Sequence, residues 1–339
     1  MRRGTVLALA VLFGGLAAAA PAQGAAMVFV KKNNVYVSRA DGSRQVRVTR
    51  DGSRRFPYFS PSVADNGTIV ALKGVFLHSF RPDGRRIVRP RQWAINPSQS
   101  LSTEPVNVDL SPNGRIAATQ NLVYSTYYDP RKSQNRPTVS AQFIDFFNFR
   151  RSPPKEVGQT DSYYDYNIPA WIDSRTVIST SYGIFNAQVF TNRVGRRTRG
   201  REFYRDPGRD PDTGTNSFAL ADAEMTRARD KFAVVRRPIR GPAFADVRAG
   251  TIQIYRTGNP STASRPLCTI GPGRRISQEA DPSWSPDGRT LRWWENGRGI
   301  FSTPVTSASG CGIAPKLIVR GALSPDLSRA RVPRRSRRR

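Results

Sequence analysis

Asp281-Pro282-Ser283-Trp284-Ser285-Pro286-Asp287-Gly288-Arg289-Thr290-Leu291-Arg292-Trp293-Trp294 decides how this chain folds. A short strand ends at Trp284, a Ser-Pro-Asp-Gly turn follows, and a second strand leaves it. Proline fixes φ at the second turn position, aspartate accepts a local backbone bond, and glycine supplies the positive φ. The stretch predicts a tight β-hairpin.

The same grammar recurs along the chain. Ser60-Pro61 leads to Gly67-Thr68-Ile69-Val70. Ser111-Pro112-Asn113-Gly114 leads to Arg115-Ile116-Ala117. Trp171-Ile172-Asp173 leads to Thr176-Val177-Ile178, and Ser324-Pro325-Asp326 leads to Ala330-Arg331-Val332. Anchors at Ser60, Ser111, Ile172, Ser285 and Ser324 repeat every 40–60 residues or so, with one gap about twice as long, a period typical of repeat architectures. The long gap predicts a degenerate copy near Glu224 to Arg227, between Phe218-Ala219-Leu220 and Lys231-Phe232-Ala233-Val234. Further strands follow each hairpin, as at Val75 to Phe80, Thr251 to Tyr255 and Gly299 to Ser302. One repeat is therefore four short antiparallel strands, the make-up of a propeller blade. Met27 to Val30, Asn34 to Arg39 and Val46 to Val48 read as the later strands of a blade that lacks its first. The anchor at Ser324 starts a blade and goes no further. The two pieces predict one shared blade that closes a ring of six and removes its open edges. The expected fold is all-β, a six-bladed β-propeller with one blade built from both ends of the chain.

Ser285-Pro286-Asp287-Gly288 after Pro282 and Trp284, with Asn34-Val35-Tyr36-Val37 and Asp41-Gly42 upstream of Val46-Arg47-Val48-Thr49, resembles the WD40-like (PD40) repeat of TolB-type β-propellers. The resemblance covers roughly residues 27–333 and is strongest at 281–303. It implies a six-bladed propeller outside the cytoplasm that binds a protein or ligand and does not catalyse. The family's N-terminal α/β domain has no counterpart in 27–333, which argues against a Tol–Pal role.

Residues 1–26 read as a secretory signal peptide, with Arg2 and Arg3 ahead of an apolar run from Thr5 to Ala20 and small residues after it. That run is shorter than the ~20 residues needed to span a bilayer. The expected organisation is a signal peptide over 1–26, a propeller over 27–333 and a disordered basic tail over 334–339, in a secreted, periplasmic or wall-associated monomer.

The formal charge is +29, from 54 basic and 25 acidic residues, and only seven of the basic residues are lysines. The arginines are scattered, so the expectation is no nucleic-acid partner but a surface that attracts anionic polymers. Six of the nine residues from Arg331 to Arg339 are arginine, a candidate tether to envelope polyanions.

A single histidine, His78, excludes histidine-based metal clusters and histidine pairs. No G-x-S-x-G elbow occurs, and no cofactor or metal is expected. Asp210 and Asp212 loosely fit a calcium loop, but Gly214 stands where a third oxygen ligand belongs. Glu104, Asp165 and Glu279 recur six or seven residues ahead of their anchors, where the chain enters an innermost strand near a channel mouth. Asp161, Tyr163, Tyr164 and Asp165 form a tyrosine-rich loop suited to recognition. These six residues are the expected contact set for an envelope protein, peptide or glycan. A glycan or lactone hydrolase using mouth carboxylates is the alternative. Cys268 and Cys311, at matching places in neighbouring repeats, are expected to form one disulfide.

Overall fold

A computed structural model describes residues 25–92, 102–129, 134–151, 155–160, 168–181, 187–195, 200–206, 208, 218–238, 250–257, 265–271, 274, 276, 280–306, 311 and 314–333. It contains six antiparallel sheets of four strands each. Blade 1 joins the chain ends: Ala322–Ser328 is innermost, followed by Ala26–Lys31, Asn34–Arg39 and Val46–Arg47. Met27 pairs with Leu327 on one side and Ser38 on the other. The shared blade expected from the sequence is therefore present.

The innermost strands of blades 2 to 6 are Phe59–Val63, Ser102–Leu110, Ala170–Trp171, Phe218–Met225 and Ser283–Trp284. The degenerate copy near residue 224 is a true blade. Its hairpin turn is closed by Arg229 N–H on Thr226 O, as Gly288 N–H on Ser285 O closes the turn of blade 6. Gly288 carries a φ of 67°, the left-handed turn position that glycine fills without strain.

Two anchors need correction. In blade 2 the residue equivalent to Ser285 is Ala64, whose carbonyl takes Gly67 N–H. The equivalent in blade 1 is Ser328. Ser60-Pro61 and Ser324-Pro325 therefore lie inside innermost strands, not in turns. There the ladder slips, with register shifts between Phe59 and Ser62 and between the partners of Leu323 and Asp326. A proline costs no ladder bond at such a bulge.

Each junction between neighbouring blades holds its own apolar cluster, because each sheet buries both faces. Val37, Tyr58 and Ile69 pack between blades 1 and 2, and Leu72, Leu110 and Phe149 between 2 and 3. Phe146, Trp171 and Phe190 fill the next junction, then Tyr204, Phe232 and Tyr255. Trp284, Trp293 and Ile252 join blades 5 and 6, and Phe29, Trp294 and Leu327 close the ring.

Blade 3 departs from the pattern. Its second and third strands, Ala117–Asp129 and Gln134–Asn148, are 13 and 15 residues long, and their pairing runs to Asp129 opposite Gln134. The first strand stops pairing at Ser102 opposite Tyr124. The remainder is a two-stranded arm beyond the body of the blade.

Candidate functional site

All six innermost strands face one central cavity of about 90 Å³. Two rings of side chains line it. One residue per blade forms the first ring, here called the hook: Asp326, Ser62, Asp109, Ala170, Glu224 and Ser283 from blade 1 to blade 6. Two residues earlier in each strand lies the rim: Ser324, Ser60, Asn107, Ile168, Asp222 and Asp281.

The hook residues bind the blades to one another. Five of the six accept the backbone N–H that follows the hook of the next blade. Val63 N–H donates to Asp326 Oδ2 at 2.7 Å, Leu110 N–H to Ser62 Oγ at 3.0 Å, and Trp171 N–H to Asp109 Oδ2 at 2.9 Å. Trp284 N–H donates to Glu224 Oε1 at 3.2 Å, and Leu327 N–H to Ser283 Oγ at 3.2 Å. Both tryptophans add an indole N–H to the carbonyl of the same hook residue, at 3.1 Å in each case. Ala170 has only a methyl group and cannot accept a bond, so the series breaks between blades 4 and 5.

These acids sit out of water, and burial is the first cause of every shift among them. Asp109 is pushed up to about 6, with Ser62 and the amides of Trp171 and Leu110 holding it back. Asp326 is pushed up to about 7 by burial and then by the charge of Asp109. Burial and the Asp281 charge push Asp222 well above the usual carboxylate range. Burial and the Asp326 charge do the same for Glu224. Proton counting agrees. Ser62 Oγ lies 2.5 Å from Asp109 Oδ1 and 2.8 Å from Asp326 Oδ2. One hydroxyl proton serves only one of those contacts, so the other needs a proton on a carboxyl.

The two ends of the cavity differ. At the hairpin-turn end, Arg227 pairs with Asp65, tying the turn of blade 5 to the turn of blade 2 directly across the ring. Asp65 also accepts Arg329 N–H at 2.9 Å. At the other end lie the rim residues. Three of them hold left-handed backbone, Ser60 at φ 44°, Asp281 at 43° and Ser324 at 47°, and each precedes a proline.

Of the residues expected from sequence to make contacts, Glu104 lies exposed on the innermost strand of blade 3, paired with Leu122, three residues ahead of the rim residue Asn107. Asp161, Tyr163, Tyr164, Asp165 and Glu279 lie outside the described residues, as do Asp210 and Asp212. The acids that do line the cavity were not singled out as a site. Asp109, Asp281 and Asp326 stand in the repeat blocks themselves, and a search at fixed offsets ahead of each turn would have found them. His78 is buried beside Tyr58, ring centroids 5.2 Å apart, and burial lowers it to about 4.

The expected disulfide is formed between Cys268, which opens the outer strand of blade 5, and Cys311 of blade 6, with Cα atoms 5.5 Å apart. Among the described residues, no three acidic, histidine or cysteine side chains are grouped to hold a metal ion.

No known protein family and no curated protein sequence matches the chain. Solved structures do. A protein of unknown function from Bacteroides caccae is 9% identical, with a TM-score of 0.51 over 90% of this chain and 99% of that one. An oligogalacturonate lyase in complex with manganese is 11% identical, with a TM-score of 0.50 over 85% of this chain and 70% of that one. At such identity the likeness is one of fold. The chain is a six-bladed β-propeller.

Proposed function

We propose that the protein is an exported, non-catalytic propeller that binds an envelope protein, peptide or glycan at the rim end of its channel. One observation carries the reading: six strands converge on an acid-lined cavity whose far end is spanned by the Arg227–Asp65 pair. The likeness of the repeats to TolB-type propellers supports it, as does the disulfide, which suits an oxidising compartment. Residues 161–167 and 277–279 precede the inner strands of blades 4 and 6 in sequence.

The test is capture from the envelope fraction of the producing organism, with residues 27–339 as bait and washes at low and high salt. A partner retained at high salt, and lost with Tyr163→Ala plus Asp165→Ala, supports the reading. Retention only at low salt, and only while residues 331–339 are present, would instead assign association to the arginine tail. Turnover of a glycan panel abolished by Glu104→Gln or Glu279→Gln would replace binding with catalysis.

A further inference from the structure

Asp222 is the group in the cavity whose needs are unmet. Its residue is 2% exposed, and its Oδ2 has no hydrogen-bond partner. A buried acceptor left unpaired costs about 1–3 kcal/mol, so such a group calls for a donor from outside the chain. Asp281 stands beside it on the rim, and Glu224 and Asp326 lie one layer deeper on the same side of the ring. Asn107 and Ile168 face them.

We propose that the rim end of the channel binds a single primary ammonium group, with Asp222 as its counter-charge. The proposal rests on the reading that ligands enter at this end. An ammonium is a compact cation with three donors and no acceptor, which suits an unpartnered carboxylate oxygen among further acceptors. The cavity is about 90 Å³, several times the ~10–15 Å³ that one water molecule needs, and it admits the end of an alkyl amine. The acids are spread over two layers instead of grouped around one point, which favours a group on a stem over a bare metal ion. The one cationic side chain lining the cavity among the described residues, Arg227, is held at the far end by Asp65.

The ammonium keeps the Asp222 carboxyl ionised, so the proton that carboxyl carried passes to solvent. Binding therefore releases up to one proton and tightens as pH rises for as long as the amine stays protonated, up to about pH 10 for an alkylamine and about pH 8 for a peptide amino terminus. The other groups facing the cavity, Asp109, Glu224, Asp281 and Asp326 with Arg227 at the far end, are all acids but one, and each acid acts in the same direction.

The experiment is calorimetry on the full mature chain with n-butylamine, trialanine, N-acetyl-trialanine, glucosamine and n-butylguanidine, at pH 5.5 and pH 7, in two buffers of different ionisation heat. Binding of butylamine or trialanine is expected, weakened at least tenfold by acetylation, about 1.4 kcal/mol. Butylamine without trialanine points to small amines, trialanine to a peptide amino terminus, and glucosamine to an amino sugar. Asp222→Asn and Asp281→Asn, checked for native melting, should each weaken it about tenfold or more. The proposal fails if the acetylated peptide binds equally, if n-butylguanidine outbinds butylamine, or if folded Asp222→Asn binds as wild type. Envelope capture that survives Asp222→Asn overturns the ammonium site alone and leaves the binding face intact.

Discussion

The junction between blades 5 and 6 and the junction between blades 4 and 5 reach the same result by different chemistry. At the first, the Trp284 amide donates to the Glu224 carboxyl, the Trp284 indole N–H donates to the Glu224 carbonyl, and a disulfide links Cys268 of the outer strand of blade 5 to Cys311 of blade 6. At the second, Ala170 offers nothing at the hook position. The chain compensates away from the axis. Tyr204 donates to Tyr255 at 3.1 Å with the rings 5.0 Å apart, and Tyr255 donates on to Gln253 at 2.5 Å. Farther out, Arg236 grips the fully buried side chain of Asp206 through contacts of 2.5 and 3.0 Å. Neighbouring blades need closure at some radius, and the radius is free to vary. Where the closure lies on the axis, the hook is polar, an acid or a serine. At blade 4, where it lies farther out, Ile168 and Ala170 make that part of the wall apolar.

Breaking the axial junction should cost most. Trp284→Ala removes a side chain 3% exposed together with its indole bond to the Glu224 carbonyl, an expected loss of about 3–5 kcal/mol in urea unfolding. Removing the disulfide with Cys268→Ser and Cys311→Ser opens a loop of 43 residues and should cost about 3–4 kcal/mol. The same melting temperature with and without reductant would show that this junction does not limit stability.

The channel acids make the next difference, and its sign is fixed by their raised values. Asp109 near 6 and Asp326 near 7 hold protons in the folded protein that the unfolded chain, with carboxyls near 4, has released. Their contribution is complete below the unfolded value and is lost as pH rises through 6 and 7. His78, lowered to about 4, acts oppositely, losing its contribution as pH falls from 6.5 toward 4. The melting temperature should therefore change little from pH 8 to about 7 and climb as pH drops from about 7 toward 4, with His78 offsetting part of the gain below 6.5. Asp326→Asn should flatten that climb, and an unchanged slope would show that the pair does not share a proton.

The outer closure should be softer. Tyr204→Phe removes one buried hydroxyl contact and should cost about 0.5–1.5 kcal/mol. The smallest effect sharpens the comparison from the other side. Ala170→Ser places a hydroxyl at the vacant hook, opposite the Met225 amide, and should add at most about 1 kcal/mol. If it destabilises instead, the amide of Met225 does not point at blade 4 as its five counterparts point at theirs.

The sequence made the blades legible through their turns. Ser285-Pro286-Asp287-Gly288 and Ser111-Pro112-Asn113-Gly114 carry enough local chemistry to define a hairpin without help from the rest of the chain. The same Ser-Pro pair at 60 and 324 misled the alignment by four residues. Within a bulged strand, proline is tolerated for a different reason, and only the ladder shows which reason applies. A residue followed by proline at the rim (Ser60, Ile168, Asp281, Ser324) is the better repeat mark, visible once the strands are in register. The acids of the site were visible as letters and not as neighbours. Whether Asp222 faces the axis depends on the register shift between Leu220 and Asp222, a feature of pairing with the next strand that no local pattern encodes.

The shared blade has a consequence in time. Ala26–Lys31 is synthesised long before Ala322–Ser328, the strand it pairs with. Until that strand arrives, the ring is a horseshoe with an unsatisfied sheet edge, and the wall that Ser324 and Asp326 supply is missing. A chain cut before Ala322 makes most of the fold and leaves the cavity open on one side. The cavity thus waits on a pairing across nearly the whole chain: its wall closes only once residues 322–328 have met 26–31.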